Sequence, residues 1–224
     1  SVYRCRMTLK ALKKQLNEGF MEVKRGCMIA VSAISDIGDK ILLSNGEEIC
    51  YTKRKKKALR EELQKKQELM IAKISKKKLP LTPEEYGKYY KICDSLPFAF
   101  TDIEMVFNEE KKAVDWIFRY GNEALATLEK LPLDKMIGNS FSSLFSNMDA
   151  KWLHVYERAT LYGETLEIMD YSPEIDTNLK IICFPTFPGH CGCILFNADQ
   201  MKSISEENHL VRLAAVALKS NPTI

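Results

Sequence analysis

Apolar and polar side chains alternate over residues 2–7, where Tyr3, Cys5 and Met7 oppose Val2, Arg4 and Arg6, which predicts a strand. The period then changes. Leu9, Leu12 and Leu16 share a helical face, Thr8 stands where an N-cap belongs, and Asn17-Glu18-Gly19 ends the run, which predicts a helix over 8–16. Strand-like runs follow at 20–24 and 28–35. Next, 40–43 and 48–51 flank Ser44-Asn45-Gly46-Glu47, and Asn-Gly between two such runs is a strong hairpin signal. From Lys55 to Lys78 the chain has no Gly or Pro, is rich in helix formers, and places Leu59, Leu63, Met70 and Ile74 on one face. That predicts one helix roughly 36 Å long, at about 1.5 Å per residue.

Pro80 breaks this rod, and Thr82-Pro83-Glu84-Glu85 begins another helix with an N-cap, a first-turn proline and acidic residues. That second helix is expected to reach about Asp94, with Tyr86, Tyr89, Tyr90, Ile92 and Cys93 available for packing. Strand alternation returns over 98–107. It recurs over 114–120, where Val114, Trp116, Phe118 and Tyr120 form one face opposite Asp115, Ile117 and Arg119. Asn122 caps a predicted helix over 123–129, a helical turn lies at 133–137 between Pro132 and Gly138, and a longer helix over 149–162 stops at Gly163. Strands are predicted at 164–170, 178–184 and 191–196, and a last helix from about Ser203 through Leu218. The fold class is therefore α+β: a β-rich N-terminal segment, a long connecting helix, and a five-stranded antiparallel sheet with helices on one face.

Charge divides the chain at the long helix. Residues 1–78 carry 20 Lys and Arg against 9 Asp and Glu, whereas residues 79–224 carry 13 against 21. The total of +3 hides this opposition, and the basic half attracts polyanions such as nucleic acid. No apolar run reaches membrane-spanning length and the opening residues form no secretory signal, so a soluble, cytoplasmic protein is expected. Seven cysteines, an odd number scattered through strand-like stretches, suit reduced core thiols better than a disulfide framework.

The order Thr8-Leu9-Lys10-Ala11-Leu12, then 20–34 with Lys24-Arg25-Gly26, then Leu43-Ser44-Asn45-Gly46-Glu47-Glu48-Ile49 and Tyr51-Thr52-Lys53-Arg54, resembles the later part of a LytTR DNA-binding domain. The resemblance implies a β-rich fold whose loops enter DNA major grooves, acting as a dimer. Lys24, Arg25, Gly26 and Ala30 stand where the family pattern has His, Arg, Ser and Asn, and Thr52-Lys53 replaces Ser-Arg. The family's opening strands have no counterpart before Ser1, so either the chain is a piece of a longer one or the domain is degenerate. Phosphate contact survives these departures better than base readout does. The expected DNA-binding residues are Lys24, Arg25, Lys53, Arg54, Lys55 and Lys56: the arginines offer bidentate forks and the lysines point charges. Read without the family, each of the lysine triplets 55–57 and 76–78 is more simply the solvated face of a helix.

Tyr120-Gly121-Asn122-Glu123-Ala124-Leu125, Met136-Ile137-Gly138-Asn139-Ser140-Phe141 and Leu161-Tyr162-Gly163-Glu164, placed between those strands, resemble a PAS domain over about 98–197. A PAS domain implies a small molecule, of unknown identity, in a cup between sheet and helices. The expected pocket residues are Trp116, Phe118, Trp152, Tyr156 and Cys183. His154 stands on the helix where some haem-binding relatives place a ligand, though a plain surface or core histidine is the commoner case and the preferred reading. Cys183, His190, Cys191 and Cys193 raise a metal or redox reading against one of small core residues. No flavin cysteine motif, P-loop, triad, zinc-protease motif or carboxylate pair appears, so no enzyme is expected and cofactors are left open. The expected organisation is a LytTR-like segment at 1–64, a helical coupler at 55–97, a PAS domain at 98–200 and a terminal helix at 201–224. The expected function is a dimeric DNA-binding regulator with a sensory domain. The alternative is the sensory module of a larger signalling protein, such as a cyclic-dinucleotide enzyme, without DNA binding of its own.

Overall fold

The computed structural model describes residues 7–16, 19–77, 81–146 and 149–198, so the strand expected at 2–7 and the helix expected at 203–218 lie outside the described residues. The chain divides into two compact units, 1–72 and 73–224.

In the first unit, helix α1 (Leu9–Gln15) is opened by Thr8, whose hydroxyl accepts the Ala11 N–H. Strands β1 (Phe20–Lys24) and β2 (Cys27–Ala30) form an antiparallel pair that turns through Arg25 and Gly26, the glycine at φ +80°. The run predicted over 28–35 is interrupted. A 3₁₀ turn at Val31–Ala33 buries Val31 and separates β2 from β3 (Ile34–Ile37). β3 pairs with β4 (Ile41–Leu43), which pairs with β5 (Glu48–Ile49). Between β4 and β5, Gly46 takes φ +84° and Asn45 Oδ1 accepts the Glu47 N–H, as an Asn-Gly turn requires. Met21, Val23, Ile34, Ile37 and Ile41 are buried here, and Leu59 joins the core from helix α2 (Lys56–Lys77). A 3₁₀ turn, Lys53–Lys55, leads into α2.

In the second unit, helix α3 (Pro83–Tyr89) begins with a complete capping box between Thr82 and Glu85 and continues as a 3₁₀ turn, Lys91–Cys93. This is shorter than the helix expected to reach Asp94. Tyr86, Tyr90 and Cys93 pack inward, but Ile92 is 74% exposed, because the tightening to three residues per turn rotates it off the packed face.

Strands β6 (Ala99–Phe107) and β7 (Ala113–Gly121) are followed by helices α4 (Glu123–Glu129), α5 (Leu133–Met136), α6 (Phe141–Leu144) and α7 (Ala150–Tyr162), then by β8 (Leu166–Ser172), β9 (Thr177–Pro185) and β10 (His190–Asn197). All five strands pair antiparallel, in the order β7-β6-β10-β9-β8. Helices α4 to α7 cover one face, over a core that includes Ile103, Met105, Trp116, Phe118, Trp152 and Ile181. The other face packs Phe100, Phe184, Ile194 and Tyr120 against Tyr86, Tyr90 and Cys93.

The single face expected of β7 is divided. Ile103 pairs with Phe118 while its neighbour Asp102 pairs with Tyr120, so Arg119 is an extra, bulged residue; a second bulge places Val114 between Ala113 and Asp115. One extra residue reverses every side chain beyond it. Trp116 and Phe118 therefore stay on the helix-covered face, Tyr120 turns to the opposite one, and Val114 is exposed.

Candidate functional site

Each unit carries one candidate. In the first, Lys24 ends β1, Arg25 occupies the turn, Lys53, Arg54 and Lys55 form the 3₁₀ turn, and Lys56 opens α2. All are exposed except Lys56, which is half-buried. Glu22 links the two groups. Its carboxyl is held below the ordinary value by a hydrogen bond from Lys13, and further by the Gly26 backbone N–H and the positive charge of Lys55. The 24–26 turn and the end of the 3₁₀ turn therefore lie within electrostatic reach of one carboxylate.

Asp39 pairs loosely with Lys53 at 3.6 Å and Lys56 at 3.8 Å. Among the described residues, no carboxylate forms an ion pair with Lys24, Arg25, Arg54 or Lys55. An exposed fork without a carboxylate partner is free to take a phosphate or a guanine edge. Arg60, in contrast, is held within the unit, donating to the Ile37 carbonyl at 2.8 Å.

In the second unit, a cavity of about 30 Å³ opens between the helix-covered face of the sheet and α4, α6 and α7. Trp116, Phe118, Trp152 and Tyr156 all line it. Cys183 does not. It lies on β9 opposite Cys193, its Sγ 3.6 Å from the Leu166 carbonyl, deep in the apolar core. Residues absent from the expected set also line the cavity, Phe141, Glu129 and Glu174 among them. Burial, and then the nearby Glu174, push the Glu129 carboxyl up to about 7. Glu174 accepts the Ser172 hydroxyl at 2.5 Å on one oxygen, and its other oxygen is buried without a hydrogen-bond partner.

On the opposite face lies a buried polar cluster that sequence reasoning also missed. Asp102, fully buried, accepts His190 Nδ1–H at 2.6 Å, the Tyr90 hydroxyl at 2.7 Å and the Thr186 hydroxyl at 2.5 Å. The Tyr86 hydroxyl lies 3.3 Å from His190 Nε2, and burial together with the Asp102 charge pushes this phenol up to about 12. Every group in this set has a partner. It fastens α3 and its extension to β6 and β10.

The cysteine constellation separates accordingly. His190 faces Asp102, while Cys191 and Cys193 face the helix-covered side with their sulfurs 3.7 Å apart. Burial raises both thiols, and all described cysteines are free. Among the described residues, no group of three or more His, Cys, Asp or Glu side chains is placed to hold a metal ion, and no helix is long and apolar enough to cross a membrane. His154, on α7, has a buried Nε2 without a partner, and burial lowers its pKa, with the Arg158 charge adding to the effect.

A small basic unit that gathers a cationic turn and a cationic helix start has the build of a nucleic-acid-binding module. Residues 1–64 match the family model described as the LytTr DNA-binding domain. No curated protein matches the chain.

Proposed function

We propose that the chain is a dimeric, cytoplasmic transcriptional regulator that binds DNA through its N-terminal unit and senses a small molecule through a PAS-type cup in its second unit. The family match over 1–64 carries the DNA-binding half of this reading. The exposed Arg25 and Arg54, together with Lys24 and Lys55, supply the charge it needs. The sensory half draws support from the five-stranded antiparallel sheet and the aromatic cavity beneath its helices.

Binding energy comes mainly from phosphate contacts, so duplex DNA titrated at rising salt gives a log-log slope of about −0.9 per phosphate neutralised. Arg25→Ala combined with Arg54→Ala weakens binding and flattens the slope by about 2. Lack of any binding at low salt rejects the reading in favour of a sensory module of a larger signalling protein. The replacements at Lys24, Gly26 and Ala30 lend weight to that second reading, since they remove side chains of the family pattern that serve base readout.

A further inference from the structure

We propose that the cavity of the second unit binds the head of a small primary ammonium compound, held between aromatic faces and the Glu129 and Glu174 carboxylates; this rests on the sensory reading above.

Three independent observations converge. Five aromatic side chains line the space, Trp116 packed on Phe141 and edge-to-face with Tyr156, and a cation that enters beside them is attracted by the negative face of a ring. Both acidic side chains of the lining are carboxylates without a basic neighbour there, since no Lys, Arg or His lines the cavity. A buried oxygen of Glu174 lacks a donor, and an ammonium N–H supplies one. An anionic ligand would meet two carboxylates, and a neutral apolar one would leave that oxygen unbonded. Size selects among cations. A cavity of about 30 Å³ has room for roughly two water-sized groups, which fits an –NH₃⁺ head with a methyl and not a trimethylammonium.

The site also carries a pH signature. The groups facing Glu129 are Glu174 from the β8–β9 turn and Tyr156 from α7. With the Glu129 carboxyl at about 7, a cation favours its ionised form and releases its proton. Affinity for an ammonium therefore rises as pH rises through about 7, by at most tenfold per unit, and for a neutral molecule it does not.

The chain's two tryptophans, Trp116 and Trp152, both line the cavity, so intrinsic emission reads the site directly. The full chain is titrated with methylammonium, tetramethylammonium, acetamide and acetate at matched ionic strength, at pH 6 and pH 8, and its affinity for duplex DNA is measured in parallel. A saturable emission change with methylammonium alone is expected, stronger at pH 8 and weakened about tenfold or more in Glu174→Gln. An equal or stronger response to acetamide, acetate or tetramethylammonium overturns the assignment, as does no saturable response to any of them. Should the neutral or anionic probe change both emission and DNA affinity, the sensory reading stands while the ammonium assignment falls. Should methylammonium saturate the emission change without altering DNA affinity, the site stands and the sensory reading falls.

Discussion

On one face of the five-stranded sheet Asp102 sits among three donors, while on the other Glu129 and Glu174 share a cavity in which one buried carboxylate oxygen has no donor at all. The sheet is the same, and so is the residue chemistry; the difference lies in what the neighbouring element brings. The C-terminal end of helix α3 and the β9–β10 connection bring hydroxyls to Asp102, and the first residue of β10 brings an imidazole. Helices α4, α6 and α7 bring rings and a second acid to the cup. A buried charge surrounded by donors acts as a fastener, whereas one left short of donors is a place where something else can bind.

The comparison can be broken most directly at Asp102. Asp102→Ala strips the common acceptor from three buried donors and is expected to cost about 3–5 kcal/mol in urea unfolding followed by tryptophan emission. A cost below about 1 kcal/mol would place the fastening elsewhere.

Glu129 gives the opposite sign. Its carboxyl is raised above the ordinary value of 4.5 to about 7, so the folded state holds the proton more tightly than the unfolded one. Stability is then full below about 4.5 and falls as pH rises towards 7. With allowance for water at the cavity mouth, Glu129→Gln gains about 2 kcal/mol over the parent between pH 5 and pH 8. Parallel stability curves for the two proteins would remove the strain attributed to this acid.

The smallest effect sharpens the same contrast. Thr160 on α7 is buried and its hydroxyl has no partner, so Thr160→Val is expected to be neutral or stabilising by up to about 1 kcal/mol in thermal melts.

Local chemistry made much of this fold legible. Thr8, Thr82, Asn122 and Asp149 cap helices at or within a residue of the predicted starts, Gly163 takes φ +69° where α7 ends, and the Asn45-Gly46 turn joins β4 to β5. These signals need only a few adjacent residues. What stayed hidden depends on distant partners. The bulge at Arg119 shows only when β7 is laid against β6, and the short helix α6 is fixed by Phe141 stacking on Trp116 rather than by its own four residues. Asp102 and His190 are 88 positions apart, and neither carries a local mark of the other. Glu129 and Glu174 end a helix and sit in a turn, where acids ordinarily face water. Four of the five cavity residues expected from the PAS resemblance line the cavity because alternation and helical period place them inward. Cys183 failed because β9 lines the cavity through Leu179 and Ile181, and Cys183 lies one step further along the same face, beyond the cavity.

The extra residue at Arg119 bears on how such a unit can change over evolutionary time. Loss of that one position would leave Ile103 opposite Phe118 and Asp102 opposite Tyr120 on the faces they now hold, so the bulge would close and only the Arg119 ion pair with Glu104 would go. A one-codon deletion is tolerable there, because the extra residue carries no part of the alternation on either side of it.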